Sequence, residues 1–205
     1  MHTLKHIEES YSYYGKLPFL YNLFNKLYFL RKKAIKKLNL KQNYKVLDIA
    51  CGTGLNFKHI EKLIKNNGKI IAIDYTKEML KQAKKLIKKN NYTNIKLIKA
   101  NAENIKLKTN FDAIISTLGF SSIPNHKAAL KNAVNSLKKG KKLVMLEGKL
   151  FNFKPLNIIM PLLRWSKSWD KNKNLIKDVK ELFPNKDIKV KEYNLGSNFI
   201  LELTN

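Results

Sequence analysis

The stretch Val46-Leu47-Asp48-Ile49-Ala50-Cys51-Gly52-Thr53-Gly54-Leu55-Asn56-Phe57 constrains the fold of this chain more than any other. Val46, Leu47 and Ile49 form the short apolar run of a buried strand. Gly52 and Gly54 allow a tight turn whose backbone lies open to a ligand. From Asn56 to Lys65, apolar residues recur at helical spacing. Strand, glycine turn and helix start together make a ligand cradle in a parallel sheet. Phe57 stands where a dinucleotide-binding turn places its third small residue, so a ligand without a pyrophosphate fits better.

The rest of the chain repeats this alternation. Strands are expected at Tyr44 to Ile49, Lys69 to Ile73, Ile95 to Lys99, Phe111 to Ser116 and Lys141 to Glu147. Between them, Leu55 to Asn66 reads as a helix closed by Asn67-Gly68, with the glycine as a left-handed cap. Thr76 to Asn90 reads as a second helix, with Thr76 as its N-cap and Met79 facing inward. Asn125 is expected to cap a helix from His126 to Leu137, which Lys138-Lys139-Gly140 ends. Lys173 to Phe183 is a further helix stopped by Pro184. The short link Asn194 to Ser197 between Ile188–Tyr193 and Asn198–Leu203 implies antiparallel pairing. The predicted fold is α/β: a doubly wound sheet of about seven strands, mostly parallel with an antiparallel C-terminal hairpin.

Upstream, Leu17 to Leu38 has helical apolar spacing with lysines between. Packing on the sheet is the favoured reading, and a lid touching membrane or substrate is the sharper alternative. The chain reads as one domain: residues 1–40 the N-terminal helical lid segment, 41–148 a cofactor-binding core, and 149–205 a substrate-side segment with the hairpin.

Charge matters because it names partners. The net charge is +26, yet of 41 basic residues only Arg31 and Arg164 are arginine. Phosphate forks favour arginine, so nucleic acid is not the expected partner, and an anionic membrane surface is the better peripheral one. Cys51 is the single cysteine, which excludes an internal disulfide and a Cys-rich zinc site, and no metal is expected. The start is polar and no apolar run approaches the roughly 20 residues of a membrane span. A cytoplasmic protein, with peripheral membrane contact, is expected.

The acids at the strand ends carry the chemistry. Asp48, inside the first strand, can order the glycine loop through backbone N–H groups or meet a cationic amine through water. Asp74, ending the second strand, can accept both hydroxyls of a ribose, with helix capping as its lesser role. Asn101 can meet an adenine edge or simply form a turn. His126 and Glu147 are the candidate bases; a cap or surface role for His126 and a solvated strand end for Glu147 are the alternatives. Cys51 lacks a basic neighbour and reads as a small buried residue rather than a nucleophile.

These residues together resemble a class I S-adenosylmethionine-dependent methyltransferase. Val46 to Gly54 is similar to that family's first motif and Ile71-Ala72-Ile73-Asp74 to its second. Asn101-Ala102-Glu103 stands where Asp-Ala-Glu is frequent, and Phe111-Asp112-Ala113-Ile114-Ile115 resembles the fourth-strand motif. Leu137-Lys138-Lys139-Gly140-Lys141 resembles a Leu-Lys-Pro-Gly-Gly turn, with lysine replacing the proline and the second glycine. The resemblance implies a Rossmann-like sheet with S-adenosylmethionine as cofactor. It implies cofactor contacts from the loop Asp48, Ala50, Cys51, Gly52, Thr53, Gly54 and Asn56. Asp74, Tyr75 and Met79, then Asn101, Ala102 and Glu103, and finally Tyr14 and Thr117 complete the implied set.

Tyr14-Gly15-Lys16-Leu17-Pro18-Phe19-Leu20-Tyr21-Asn22 and the apolar Leu156 to Trp165 stretch resemble small phosphatidylethanolamine N-methyltransferases and quinone methyltransferases. That implies an acceptor pocket from Tyr11, Tyr21, Leu118 and Phe120. The expected acceptor is an ethanolamine headgroup nitrogen. A quinone-ring carbon follows, then RNA, then a cofactor-binding module without catalysis.

Overall fold

The central strands are buried on both faces, and successive side chains alternate between two apolar clusters that sort the helices onto two sides of the sheet. The structure is a computed structural model that describes Lys5, Glu9 and residues 28–105, 110–159 and 173–205. In β1 (Lys45–Ile49), Val46 and Asp48 face one side, and Leu47 and Ile49 the other. On the Val46 side lie α1 (Tyr28–Lys37) and α2 (Phe57–Ile64), which bury Ala34, Ile35, Phe57, Ile60 and Ile64. On the Leu47 side lie α4 (His126–Asn135) and α5 (Leu175–Leu182), which bury Leu130, Ala133 and Val179. The intervening helix α3 (Lys77–Lys89) buries Met79 and Ala83.

The remaining strands are β2 (Lys69–Asp74), β3 (Ile95–Lys99), β4 (Phe111–Thr117), β5 (Leu137–Gly148), β6 (Asp187–Tyr193) and β7 (Asn198–Thr204). They form one seven-stranded sheet in the order β3-β2-β1-β4-β5-β7-β6. β1 to β5 pair in parallel, and β7 pairs antiparallel with both β5 and β6. This is the mostly parallel doubly wound architecture expected from the sequence. The C-terminal hairpin extends the same sheet: Met145 pairs Leu201, and Leu146 pairs Ile200. The chain winds outward from β1 to β3, then returns to β4 beside β1. That reversal makes a crevice at the C-terminal ends of β1 and β4.

Three local expectations are corrected. Gly68 is not the left-handed cap of α2; the positive φ that ends the helix falls on Lys65, at φ 60 with an extended ψ. Gly68 is needed for space, since a Cβ there would lie 2.6 Å from Ile64. Helix α4 stops at Asn135, before Lys138-Lys139-Gly140. The Ser136 carbonyl accepts the Phe111 N–H at 2.8 Å, which starts the β4–β5 ladder and ends the helix early. Gly140, at φ 72, then serves a register shift within β5. Thr76 does occupy the N-cap position of α3, but its side chain makes no capping bond; Asp74 Oδ1 accepts the Thr76 N–H instead.

Helix α1 packs against the core. Leu30, Ala34 and Leu38 recur every four residues and are buried beside Val144, Leu146 and Ile200. Tyr11, Tyr14, Tyr21 and the rest of the proposed lid before residue 28 lie outside the described residues, Lys5 and Glu9 apart, as does the apolar stretch from residue 160 to Trp165. Among the described residues no helix is long and apolar enough to cross a membrane.

Candidate active site

Four strand ends meet around a cleft. Ala50 and Gly52 reach it from β1, Asp74, Tyr75 and Met79 from β2 and the start of α3, and Ala100, Asn101 and Ala102 from β3. Leu118, Gly119, Ser122, Ile123 and Pro124 close it from β4. The mainly apolar lining with a few polar groups suits a small organic ligand.

The glycine loop is folded for close approach. Gly52 has φ 56 and Gly54 φ 86, in the left-handed region that favours glycine. A Cβ on Gly54 would lie 2.5 Å from the Phe57 ring, which is fully buried at the start of α2. Phe57 thus fills the space a third small residue would leave open. Gly52 N–H donates to Asp74 Oδ2 at 2.8 Å, tying the β1 loop to the β2 end. Asp74 therefore accepts two backbone N–H groups and still lines the cleft. Burial raises its carboxyl above the usual range, against the N–H groups of Thr76 and Gly52. The capping role, read as secondary from the sequence, is the one its bonds display.

Ala50 at φ 53 and Leu118 at φ 61 are left-handed non-glycine residues that both line the cleft, just past the ends of β1 and β4. Such conformations cost roughly 1–3 kcal/mol each and cluster at functional sites. Gly119 makes their approach possible, because a Cβ there would meet the Ala50 Cβ at 2.6 Å. Gly119, Ser122, Ile123, Pro124 and Ala100 were not assigned to the site from the sequence. A glycine two residues past a strand end was the available signal.

Several implied contacts lie behind the cleft instead. Asp48 is fully buried and accepts from Asn56 Nδ2 at 3.0 and 3.2 Å. It does not hold the loop's N–H groups; Asp74 does. Arg31 of α1, only 4% exposed, donates to Asn56 Oδ1 at 3.2 Å and to Thr117 Oγ1. Asn56 Nδ2 also donates to Thr117 Oγ1 at 3.1 Å. Burial pushes the Asp48 carboxyl up to about 7, against the Asn56 hydrogen bond and the Arg31 charge. This network joins α1, β1, α2 and β4, and no motif announced Arg31. Cys51 and Thr53 are buried in the loop, and burial raises the Cys51 thiol well above its ordinary range. Asn101 turns its own loop, with Oδ1 accepting the Glu103 N–H at 2.9 Å. Glu103 Oε1 accepts the Asn125 N–H at 2.8 Å, so Glu103 anchors α4 rather than lining the cleft.

The two candidate bases separate. His126 is buried at the α4–α5 contact, with Nε2 2.7 Å from Asp178 Oδ2. It is neither in the cleft lining nor a surface cap; Asn125 caps α4 by accepting the Ala128 N–H. Glu147 is fully buried, so it is not a solvated strand end. Its Oε1 accepts the N–H groups of Gly119 at 2.8 Å and Phe120 at 2.7 Å. Burial raises its carboxyl, opposed by those N–H groups. Phe120 itself is fully buried in the core beside Leu130 and Phe199, so its ring does not form the acceptor pocket.

Glu147 thus holds the turn that forms one wall of the cleft. Glu147→Ala orphans two buried N–H groups, each worth about 1–3 kcal/mol. Glu147→Gln keeps a carbonyl oxygen for them. The expected result is a lower melting temperature and a raised acceptor KM for Ala, with Gln close to the parent and cofactor affinity changed less than about threefold in both. Equal kinetics for the Ala variant and the parent would remove this role.

A family profile described as a methyltransferase domain matches residues 40–194. A demethylmenaquinone methyltransferase of Geobacillus sp. (strain WCH70) is 28% identical over 190 residues, covering 81% of this chain and 81% of that protein. The ubiquinone/menaquinone biosynthesis C-methyltransferase UbiE of Wigglesworthia glossinidia brevipalpis is 40% identical over 105 residues, covering 50% of this chain and 42% of that protein. The crystal structure of a SAM dependent methyltransferase from Aquifex aeolicus superposes with a TM-score of 0.67 at 21% identity, over 84% of this chain and 88% of that one. With this match over most of its length, the chain belongs to the methyltransferase-domain family, as a class I S-adenosylmethionine-dependent enzyme.

Proposed function

We propose that the protein methylates a ring carbon of a small quinol-type acceptor. The likeness to demethylmenaquinone methyltransferases over 190 residues is the observation that carries this reading. The ethanolamine-headgroup reading, preferred on sequence, has no comparable support. None of the relatives named above is a phospholipid enzyme, and Phe120 cannot offer a ring face to a methylammonium group from inside the core.

The cleft fits the cofactor. Gly52 and Ala50 leave room for the amino-acid end beside the β1 loop, and the Asp74 carboxylate has lone pairs left for ribose hydroxyls. Met79, Asn101 and Ala102 suit the flat faces of an adenine. When bound, S-adenosylmethionine supplies a methyl group on a positively charged sulfur. The chain's part is alignment: the strained Ala50–Leu118 pair and the Glu147-held turn fix the acceptor wall against the cofactor wall, which can be worth roughly 7–11 kcal/mol of barrier. Asp48, Asn56 and Thr117 support this frame from behind.

The deciding assay offers tritiated methyl donor to three acceptors in parallel: a short-chain naphthoquinol under reducing conditions, phosphatidylethanolamine vesicles, and total RNA. Label in the quinol supports the proposal. Label in the phospholipid alone restores the headgroup reading, and label in RNA alone overturns both.

A further inference from the structure

We propose that the C-terminal edge of the sheet docks on an anionic lipid bilayer through an apolar rim formed by Phe29, Leu150, Phe153 and Leu195. The docking does not depend on which acceptor the cleft takes.

These four are among the most exposed large apolar residues described: Leu195 at 71%, Phe29 at 61%, Phe153 at 60% and Leu150 at 39%. They belong to one continuous rim. Lys149 N–H donates to the Ser197 carbonyl at 2.9 Å, and Asn152 N–H to the Leu195 carbonyl at 3.2 Å. Asn152 Nδ2 donates to Glu192 at 2.7 Å, so the strap after β5 is sewn to the β6–β7 turn. Lys33 joins α1 to them, its Nζ 4.0 Å from the Phe29 ring and 5.0 Å from the Tyr193 ring. Gly148 pairs Asn198 and Asn198 pairs Tyr193, so the rim lies at the C-terminal edge of β5. That is the same edge at which β1, β2 and β4 run into the cleft.

Leu195 is the telling residue. It sits at φ 54 in the hairpin turn, where asparagine or glycine costs less, and exposes a branched apolar side chain to water. The turn gains nothing in stability from it, but an insertion tip would.

The charge around the rim selects the occupant. Lys33, Lys154 and Lys191 flank it, and Glu192, next to Lys191 in β6, is paired with Lys149 at 2.7 Å. Protein interfaces are depleted in lysine and enriched in arginine. Phenylalanine and leucine tips set among lysines are instead the pattern of an interfacial membrane contact, and a chain of net charge +26 favours an anionic leaflet.

The test is sedimentation of the full chain with phosphatidylglycerol vesicles and with phosphatidylcholine vesicles, at low and high salt. The expected result is binding to the anionic vesicles that weakens with salt and falls at least about tenfold in the double variant Phe153→Ser/Leu195→Ser. Its melting temperature and cofactor affinity should match the parent, because neither side chain touches the cleft. Absence of binding by the parent overturns the proposal. So does equal binding by parent and variant, which would make the attraction one of charge alone. A parent that is dimeric in solution and a monomeric double variant would give the rim to a second copy of the chain and overturn it equally. Methyl transfer to a water-soluble quinol in the absence of vesicles reports on the acceptor separately.

Discussion

Gly52→Val abolishes S-adenosylmethionine binding while leaving the sheet folded. Gly52 holds φ 56, lines the cleft, and gives its N–H to Asp74. A β-branched residue resists the left-handed conformation and places two methyl groups where the ligand must approach. The expected loss is at least about 100-fold in Kd by calorimetry, or about 2.7 kcal/mol. Far-ultraviolet circular dichroism should be unchanged. Two other glycines act as controls. Gly54→Ala drives a Cβ to 2.5 Å from a buried ring, so it should lower stability as well as binding. Gly140 shares a positive φ, at 72, but a Cβ there meets nothing within 4 Å, so Gly140→Ala should pay only the backbone strain and bind normally. Binding by Gly52→Val within about threefold of the parent would displace the cofactor from this loop.

The sheet was legible because its signals are local. Val46-Leu47 before Gly52, or Ile71-Ala72-Ile73 before Asp74, can be read within a few residues, and the antiparallel end followed from one short link. The glycine loop and the acids at strand ends were visible for the same reason. What could not be read depends on residues far apart in the chain. Arg31 comes from a helix in which only the apolar spacing could be read, and it meets Thr117 at the far end of β4. Glu147 read as a candidate base or a strand end in water. Only the fold of Leu118–Phe120 over it, with two N–H groups turned inward, makes it a buried clamp. Phe120 looked like an aromatic face beside the acceptor because it follows β4. The three-residue turn Phe120–Ser122 rotates it into the core and presents Ser122 to the cleft instead. Gly68 and Gly119 were needed for close packing against Ile64 and Ala50, which spacing does not reveal.

Arg31→Met should be the most destabilising change outside the cleft, and its effect should grow with pH. Methionine keeps much of the apolar stem but removes the cation and the hydrogen bonds to Asn56 and Thr117. The native Asp48 carboxyl titrates at about 7, above its ordinary unfolded value of about 3.9. Between these values the native state binds more protons than the unfolded one, so this group's contribution to stability falls as pH rises through that window. Arg31 opposes the fall by favouring the charged form. Without it the carboxyl moves higher still, and the loss continues to higher pH. Breaking a buried charge pair costs about 3–5 kcal/mol when the remaining charge has no outlet, and less when it can take a proton. Denaturant unfolding should therefore give a larger penalty for Arg31→Met at pH 8 than at pH 5. Adding Asp48→Asn removes the stranded charge while its amide oxygen still accepts from Asn56, so the double variant should recover much of the loss at pH 8 and little at pH 5. A penalty independent of pH, or no recovery from Asp48→Asn, would mean that Arg31 acts through packing alone. With the predicted coupling, the hydrogen-bonded network of α1, β1, α2 and β4 is what holds the Ala50 and Leu118 ends of the crevice together, and cofactor affinity should fall in Arg31→Met and return in the double variant along with stability.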